Sequence, residues 1–135
     1  MFWSMSANNR IVSIVDDDLS TTRLFHEALS ENIDSVNVVS FTDPVIALEH
    51  FRDNKDAYAV VIADLRMPGL NGLELLKKVK TSNPKVRTIL MSAYNFEKEE
   101  LYQQYMEEGV INSTIEKPVT MNSLYQRVRD QLDVN

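Results

Sequence analysis

Apolar residues along this chain gather into five short runs, and between the runs they recur three and four positions apart. Residues 11–15 (IVSIV) are β-branched and end in Asp16-Asp17-Asp18, a strand opening into a polar loop. Residues 20–31 follow with Leu24, Ala28 and Leu29 at helical spacing and Ser20 as the expected cap. Residues 36–41 (VNVVSF) form the second strand. The next helix starts at Thr42-Asp43-Pro44, with Pro44 in the first turn where its missing N–H costs little. Its apolar stripe is Val45, Leu48 and Phe51. Residues 58–63 are apolar at nearly every position, as in a strand buried on both faces. A helix over 72–80 (Leu73, Leu76, Val79) leads to a strand at 86–91, a longer helix at 96–108, a strand at 110–115 and a last helix at 121–133. That last helix carries Leu124, Val128 and Leu132 on one stripe, with Thr120 as its cap. Strict alternation of strands and helices predicts an α/β fold: a doubly wound parallel sheet covered on both faces.

The whole chain of 135 residues suits one domain, expected over 10–135, with residues 1–9 as a flexible tail. No apolar run approaches the roughly 20 residues of a membrane helix, and the N-terminus MFWSMSANNR lacks the basic start and apolar core of a secretory signal. No membrane association is expected, and the cytoplasm is the expected location. With no cysteine, thiolate metal sites and cysteine nucleophiles are excluded. The net charge is −6 and the basic residues form no stripe, so direct nucleic-acid binding is not expected. With three glycines, neither GxxxxGK nor GxGxxG occurs, which excludes the common nucleotide-binding loops.

In a sheet of this kind, ligands bind beyond the carboxyl ends of the strands. Those positions here carry Asp16, Asp17 and Asp18 after strand one, Asp64 after strand three, Ser92 after strand four, and Lys117 followed by Pro118 after strand five. Any one of these alone is an ordinary loop residue, and a strand-end aspartate is usually a turn former or a cap. Asp18 is expected to be that, since two of three consecutive carboxylates can face one point. Together the carboxylates call for a hard divalent cation, and a compact site that keeps several waters suits Mg²⁺. An aspartate beside a metal, a lysine and a hydroxyl is a place to form an acyl phosphate.

The motifs IVDDD, ADLRMPGLNG, MSA and KPVT, in that order, resemble the receiver domain of two-component response regulators over about residues 10–133. The resemblance implies a flavodoxin-like sheet of order 2-1-3-4-5 and phosphotransfer from a histidine kinase or phosphotransfer protein to Asp64. It implies Mg²⁺ held by Asp16, Asp17, Asp64 and the backbone carbonyl of Arg66. Ser92 takes the place of the switch hydroxyl and Lys117 that of the phosphate contact, with a cis Lys117–Pro118 bond. The resemblance implies a phosphoacceptor signalling domain rather than an enzyme acting on other substrates. The chain is expected to be a stand-alone regulator that signals to a protein target through the face of helix four, strand five and helix five.

One region departs from that family: the stretch from Ser92 to Lys117 is longer than is common in it, and Gly109 lies eight residues before the motif lysine. Receivers carry Tyr or Phe three residues before the motif lysine, and here Thr114 stands there. Tyr94 is a candidate to replace the missing ring. Tyr102, Tyr105, Met106 and Tyr125 would suit a partner surface or would pack the helices onto the sheet. His26 and His50 read as ordinary helix residues. Two other functions compete. A dehalogenase-type phosphatase needs a second aspartate two residues after its nucleophile, and Arg66 occupies that position. A receiver-fold interaction module acting without phosphorylation is the alternative; intact Asp16, Asp17, Asp64 and Lys117 argue against it, and the departure near Thr114 keeps it open.

Overall fold

The computed structural model describes residues 10–93 and 100–134. Within them the chain runs β1 (Arg10–Val15), α1 (Leu19–Asn32), β2 (Val36–Phe41), α2 (Pro44–Asp53), β3 (Tyr58–Asp64), α3 (Gly72–Ser82), β4 (Arg87–Ser92), α4 (Glu100–Glu107), β5 (Ser113–Glu116) and α5 (Met121–Leu132). The strands form one parallel sheet in the order β2-β1-β3-β4-β5, the flavodoxin-like order. The expected tail 1–9, the start of the fourth helix and Tyr94 lie outside the described residues.

Alternation along the strands divides the core in two. Ile11, Val15, Val61, Ala63 and Leu90 face one side with residues of α2 and α3, and Tyr102 and Tyr105 of α4 pack against this cluster. Val12, Ile14, Val60, Ile62, Ile89 and Met91 face the other side with residues of α1 and α5. Because side chains alternate every second residue, a central strand covered on both faces must be apolar almost throughout. β3, at the centre, is buried at six of its seven positions.

Several expectations shift in detail. The cap of α1 is Asp18, not Ser20: its carboxylate accepts from the Ser20 amide at 3.0 Å, so the helix begins at Leu19. The buried stripe of α1 is Thr22, Phe25 and Leu29, whereas Leu24 is exposed. On α2, Val45 is likewise exposed and Ala47 joins Leu48 and Phe51 in the core. Thr120 caps α5 as expected, accepting from the Ser123 amide at 3.1 Å.

The fifth strand is shorter than residues 110–115 suggested. Val110 and Ile111 are buried apolar residues, but their amides turn back to the Tyr105 carbonyl at the end of α4. Gly109, at φ 76°, makes this turn in the left-handed region that a glycine enters without strain. Asn112 then clamps onto β4: its side-chain oxygen accepts from the Thr88 amide at 2.9 Å, and its own amide donates to the Thr88 carbonyl at 3.1 Å. Ladder pairing begins only at Ser113 opposite Ile89. Burial alone marked 110–111 as strand, and these hydrogen bonds took them out of the sheet.

Candidate functional site

The carboxyl edge of the sheet is built by short, well-determined turns. β1 delivers Asp16, which is 1% exposed, and the chain then bends outward through the exposed Asp17. The Asp18 amide donates to Asp16 Oδ1 at 3.0 Å, while the Asp18 carboxylate turns away to the helix, receiving the Ser20 amide and the Thr21 hydroxyl. One aspartate of the three is therefore consumed in capping, which leaves Asp16 and Asp17 for the site.

Asp64 ends β3 and is 6% exposed. The next amide, Leu65, donates to the Met91 carbonyl at 2.8 Å, so the ladder holds the backbone just past the carboxylate. The chain then returns across this turn: the Gly72 amide donates to the Leu65 carbonyl at 2.9 Å. A Cβ at Gly72 would collide with the Asp64 carbonyl oxygen and stand 2.9 Å from its carbon and 3.0 Å from Leu65 Cα. Glycine is thus required where α3 starts, because the helix packs directly on the backbone that carries Asp64. Asn71 and Glu74 close a reciprocal capping box there, with the Glu74 amide donating to Asn71 at 2.9 Å and the Asn71 amide to Glu74 at 3.2 Å.

Ser92 ends β4 and is buried, and its carbonyl accepts from the Lys117 amide at 2.8 Å. This bond extends the β4–β5 pairing to the residue whose side chain enters the site. The Lys117–Pro118 peptide is cis, as the resemblance implied. Lys117 Nζ lies 2.7 Å from Asp64 Oδ1 and 3.6 Å from Asp16 Oδ2. Carboxylate oxygens of Asp16, Asp17 and Asp64 all lie within 4.8 Å of one another.

The charges at this edge are unevenly balanced. Burial pushes the Asp16 carboxyl up from its ordinary range; the Asp18 amide pulls it back, and Asp64, Lys117 and Asp17 then act with alternating sign. Burial lowers the Lys117 ammonium, but its hydrogen bond to Asp64 and its attraction to both aspartates together outweigh that and hold it above the usual lysine range. The 3.6 Å separation from Asp16 is an ion pair rather than a hydrogen bond, so Asp16 Oδ2 is left buried without a hydrogen-bond partner. An orphaned carboxylate oxygen beside two further carboxylates fits a hard divalent cation such as Mg²⁺. Arg66 is exposed in the β3–α3 loop.

The structure therefore brings together Asp16, Asp17, Asp64 and Lys117, with Ser92 at the adjoining strand end. Reading along the chain did not find Gly72 as a supporting residue, nor the Thr88–Asn112 clamp. The glycine had a signal, since it stands at the first position of a helix right after the strand-end loop. The clamp had none, because its partners are 24 residues apart.

Comparison with known proteins agrees with this geometry. A family model described as the response regulator receiver domain matches residues 12–129. The two-component response regulator ARR14 of Arabidopsis thaliana is 33% identical over 81 residues, 60% of this chain and 21% of its own length. The sporulation initiation phosphotransferase F of Bacillus subtilis is 26% identical over 124 residues, which cover 92% of this chain and 94% of that protein. The match to the hydrogenase transcriptional regulatory protein HoxA of Cupriavidus necator is 30% identical and covers 96% of this chain. The chain spans 21%, 20% and 25% of the lengths of three such multi-domain-sized relatives, so their whole-protein activities are not transferred. A response regulator receiver domain protein from Clostridium thermocellum superposes with a TM-score of 0.80 over 92% of this chain and 94% of that one, at 23% identity, a likeness of fold. With the family match running from β1 to α5, the chain belongs to the response regulator receiver domain family.

Proposed function

We propose that Asp64 accepts a phosphoryl group from a phosphohistidine of a histidine kinase or phosphotransfer protein, in a Mg²⁺-dependent reaction. The observation that carries this reading is the convergence at one sheet edge: three carboxylates within 4.8 Å, with Lys117 Nζ 2.7 Å from Asp64. A carboxylate oxygen of Asp64 attacks phosphorus, the P–O bond forms as the P–N bond breaks, and the imidazole leaves as the neutral base after taking up a proton. Lys117 is already paired with the nucleophile, so it can follow the charge onto the phosphoryl oxygens. Asp16, Asp17, Asp64 and the Arg66 carbonyl would hold Mg²⁺. Bound there, the ion would offset the charge that the phosphoryl group brings to an acidic edge.

Ser92, at the neighbouring strand end, is the hydroxyl proposed to turn to the phosphoryl group once it is formed. The signal then leaves through protein contacts on the α4–β5–α5 face. In support, α4 has no fully buried residue, and Leu101 and Met106 are each 39% exposed on it. Tyr102 and Tyr105 pack inward against the core, which answers in part whether that aromatic group is surface or filler. A cytoplasmic location is part of this proposal; separately, among the described residues no helix is long and apolar enough to cross a membrane.

The direct experiment is incubation with a small acyl phosphate donor with and without Mg²⁺. The expected product is an alkali-labile phosphoryl adduct that needs Mg²⁺ and is lost in Asp64→Ala. No adduct, or an adduct that survives Asp64→Ala, would remove this reading and leave a module that acts without phosphorylation.

A further inference from the structure

One edge of the sheet is left open to pairing. β2 is the outermost strand on its side, and among the described residues no strand lies beyond it. The Asp16 amide donates to the Phe41 carbonyl at 3.1 Å, so Phe41 turns its backbone groups towards β1. Successive residues of a strand turn these groups to opposite sides, which aims those of Val36, Val38 and Ser40 outward. Among the described residues no backbone group outside the sheet bonds to them. Folded proteins blunt a free edge with a lysine, a proline, a bulge or a short strand. β2 has none of these. Its six residues, VNVVSF, carry no charge and no proline, and its register against β1 runs unbroken from Val36 to Phe41. The other edge, β5, has four residues and ends on the exposed Glu116.

The helices beside β2 continue this surface. On one face His26 Nδ1 of α1 lies 3.0 Å from Ser40 Oγ, which turns the stripe Leu19, Arg23 and His26 towards the edge. On the other face the His50 ring of α2 lies 5.3 Å from the Phe41 ring, and Ile46 stands one turn earlier on the same stripe. Leu19 is 52% exposed and Ile46 53%. Val36, Val39 and Phe41 are only partly buried. Arg23 lies near the start of α1, at the carboxyl end of the sheet, and Asp34 just before β2, at the amino end. Both are exposed, and neither forms an ion pair among the described residues. A second copy laid antiparallel along β2 brings Arg23 of each copy towards Asp34 of the other. A parallel neighbour would set Arg23 beside Arg23. A six-residue strand is about 20 Å long, and the edge with its two helix layers is about 25 Å across. Pairing would bury roughly 1,000 Å² in total, the lower bound for a specific interface, and so a weak dimer.

We propose that the β2 edge is the interface with a second copy of this chain, the two β2 strands pairing antiparallel about a twofold axis perpendicular to the sheet. The outward amides and carbonyls of Val36, Val38 and Ser40 supply the hydrogen bonds, and the two sheets become one. The carboxyl ends of the two sheets then point in opposite directions, so both Asp64 edges stay open. The α4–β5–α5 faces lie at the two far ends, because β5 is the opposite edge of the sheet. The pairing does not depend on phosphorylation of Asp64, and its test reads no phosphotransfer.

The test is sedimentation velocity and amide hydrogen exchange on the full chain over a wide range of concentration, without phosphodonor or Mg²⁺. The mass is expected to rise from monomer to dimer. As it does, the Val38 and Ser40 amides should exchange about tenfold more slowly, while those of Val39 and Phe41, which already face β1, change little. Asn37→Lys, at an exposed position of β2, sets like charges against each other across the axis and is expected to abolish both effects. Arg23→Glu is expected to weaken the dimer, and adding Asp34→Arg to restore it. The amide spectrum of each variant reports whether it is folded. A monomer at every concentration would overturn the interface and leave the edge to a different protein. So would a dimer whose Val38 and Ser40 amides exchange as in the monomer, or one that Asn37→Lys leaves intact. Protection of these amides that is independent of concentration would show the edge filled from within the chain, and would overturn it too.

Discussion

Replacing Asp16 by asparagine should make the metal-free protein more stable while removing its response to Mg²⁺. Asp16 is 1% exposed, and its Oδ1 is satisfied by the Asp18 amide, a bond an asparagine oxygen can keep. The second oxygen is the one without a hydrogen-bond partner. At an effective dielectric constant of about 20, repulsion from Asp64 at the 4.8 Å limit comes to roughly 3 kcal/mol and attraction to Lys117 at 3.6 Å to between roughly 4 and 5 kcal/mol. Asp17 is exposed and adds about 1 kcal/mol of repulsion in high dielectric. The pairwise charges nearly cancel, and Lys117, about a third exposed, contributes less than its distance suggests. What remains is the penalty of an unsatisfied buried carboxylate oxygen, roughly 1–3 kcal/mol. Asp16→Asn is therefore expected to gain roughly 1–2 kcal/mol at pH 7 in a chelator, an increase of about 3–8 °C in Tm for a chain of this size. Because the folded-state pKa of Asp16 is raised, this cost to the parent exists above that pKa and disappears as pH falls below the ordinary value of 3.8. The gain should shrink steadily on acidification. Mg²⁺ should then stabilise the parent saturably and leave the variant unchanged. The assay is thermal or urea unfolding at pH 7 and pH 4, each in chelator and in Mg²⁺. A variant less stable than the parent in chelator at pH 7, or one that keeps the Mg²⁺ response, would refute the account of the site's charge balance.

Gly72→Ala places a methyl against the Asp64 backbone; it should cost roughly 1–3 kcal/mol and weaken Mg²⁺ binding, because α3 can retreat only by releasing Asp64. A Mg²⁺ titration of the folded variant checks this, and unchanged affinity would separate Gly72 from the site. Lys117→Met removes the cation from two buried carboxylates and should cost roughly 1–2 kcal/mol, less than a fully buried pair because Lys117 is partly exposed. Since the Lys117 pKa is raised in the fold, its contribution should be fully present below the ordinary 10.5 and fade as pH rises through the folded value, which denaturation of parent and variant at pH 8 and pH 11 would show. Asn112→Ala leaves the Thr88 amide, wholly buried, without its acceptor and should cost roughly 1–3 kcal/mol, with faster hydrogen exchange at β5 as the local reading. Tyr58→Phe deprives His50 Nδ1 of the hydroxyl 2.6 Å away, at a cost of about 1 kcal/mol, and should leave phosphorylation of Asp64 unaltered because the pair lies at the other end of β3.

The elements and their order follow from local pattern. Short β-branched or near-continuous apolar runs, separated by polar loops and by stripes three and four apart, are enough to distinguish strand from helix in β1 to β4 and α5. The near-continuous apolar run of β3 also marked it as a strand covered on both faces. Strand ends could then be read, and with them Asp16, Asp17, Asp64, Ser92 and Lys117 as one edge. Pattern failed where burial and hydrogen bonding part company. Val110 and Ile111 are as apolar as a strand but hydrogen-bond to α4, and the choice was made by Asn112 reaching Thr88. Leu24 and Val45 fit a helical stripe on paper, yet face outward because each helix is rotated by how it seats on its own side of the sheet.

The chain by itself determined which groups reach the carboxyl edge, because each sits next to a strand whose apolar run ends there. Only the tertiary structure decided how those groups share charge. Asp18 is spent on a cap, Lys117 chooses Asp64 over Asp16, and one oxygen of Asp16 is left buried with no donor. It also decided that Gly72 must be a glycine. These are distances between atoms of elements far apart in sequence. They arise from packing two layers of helices on a twisted sheet, and no local period encodes them.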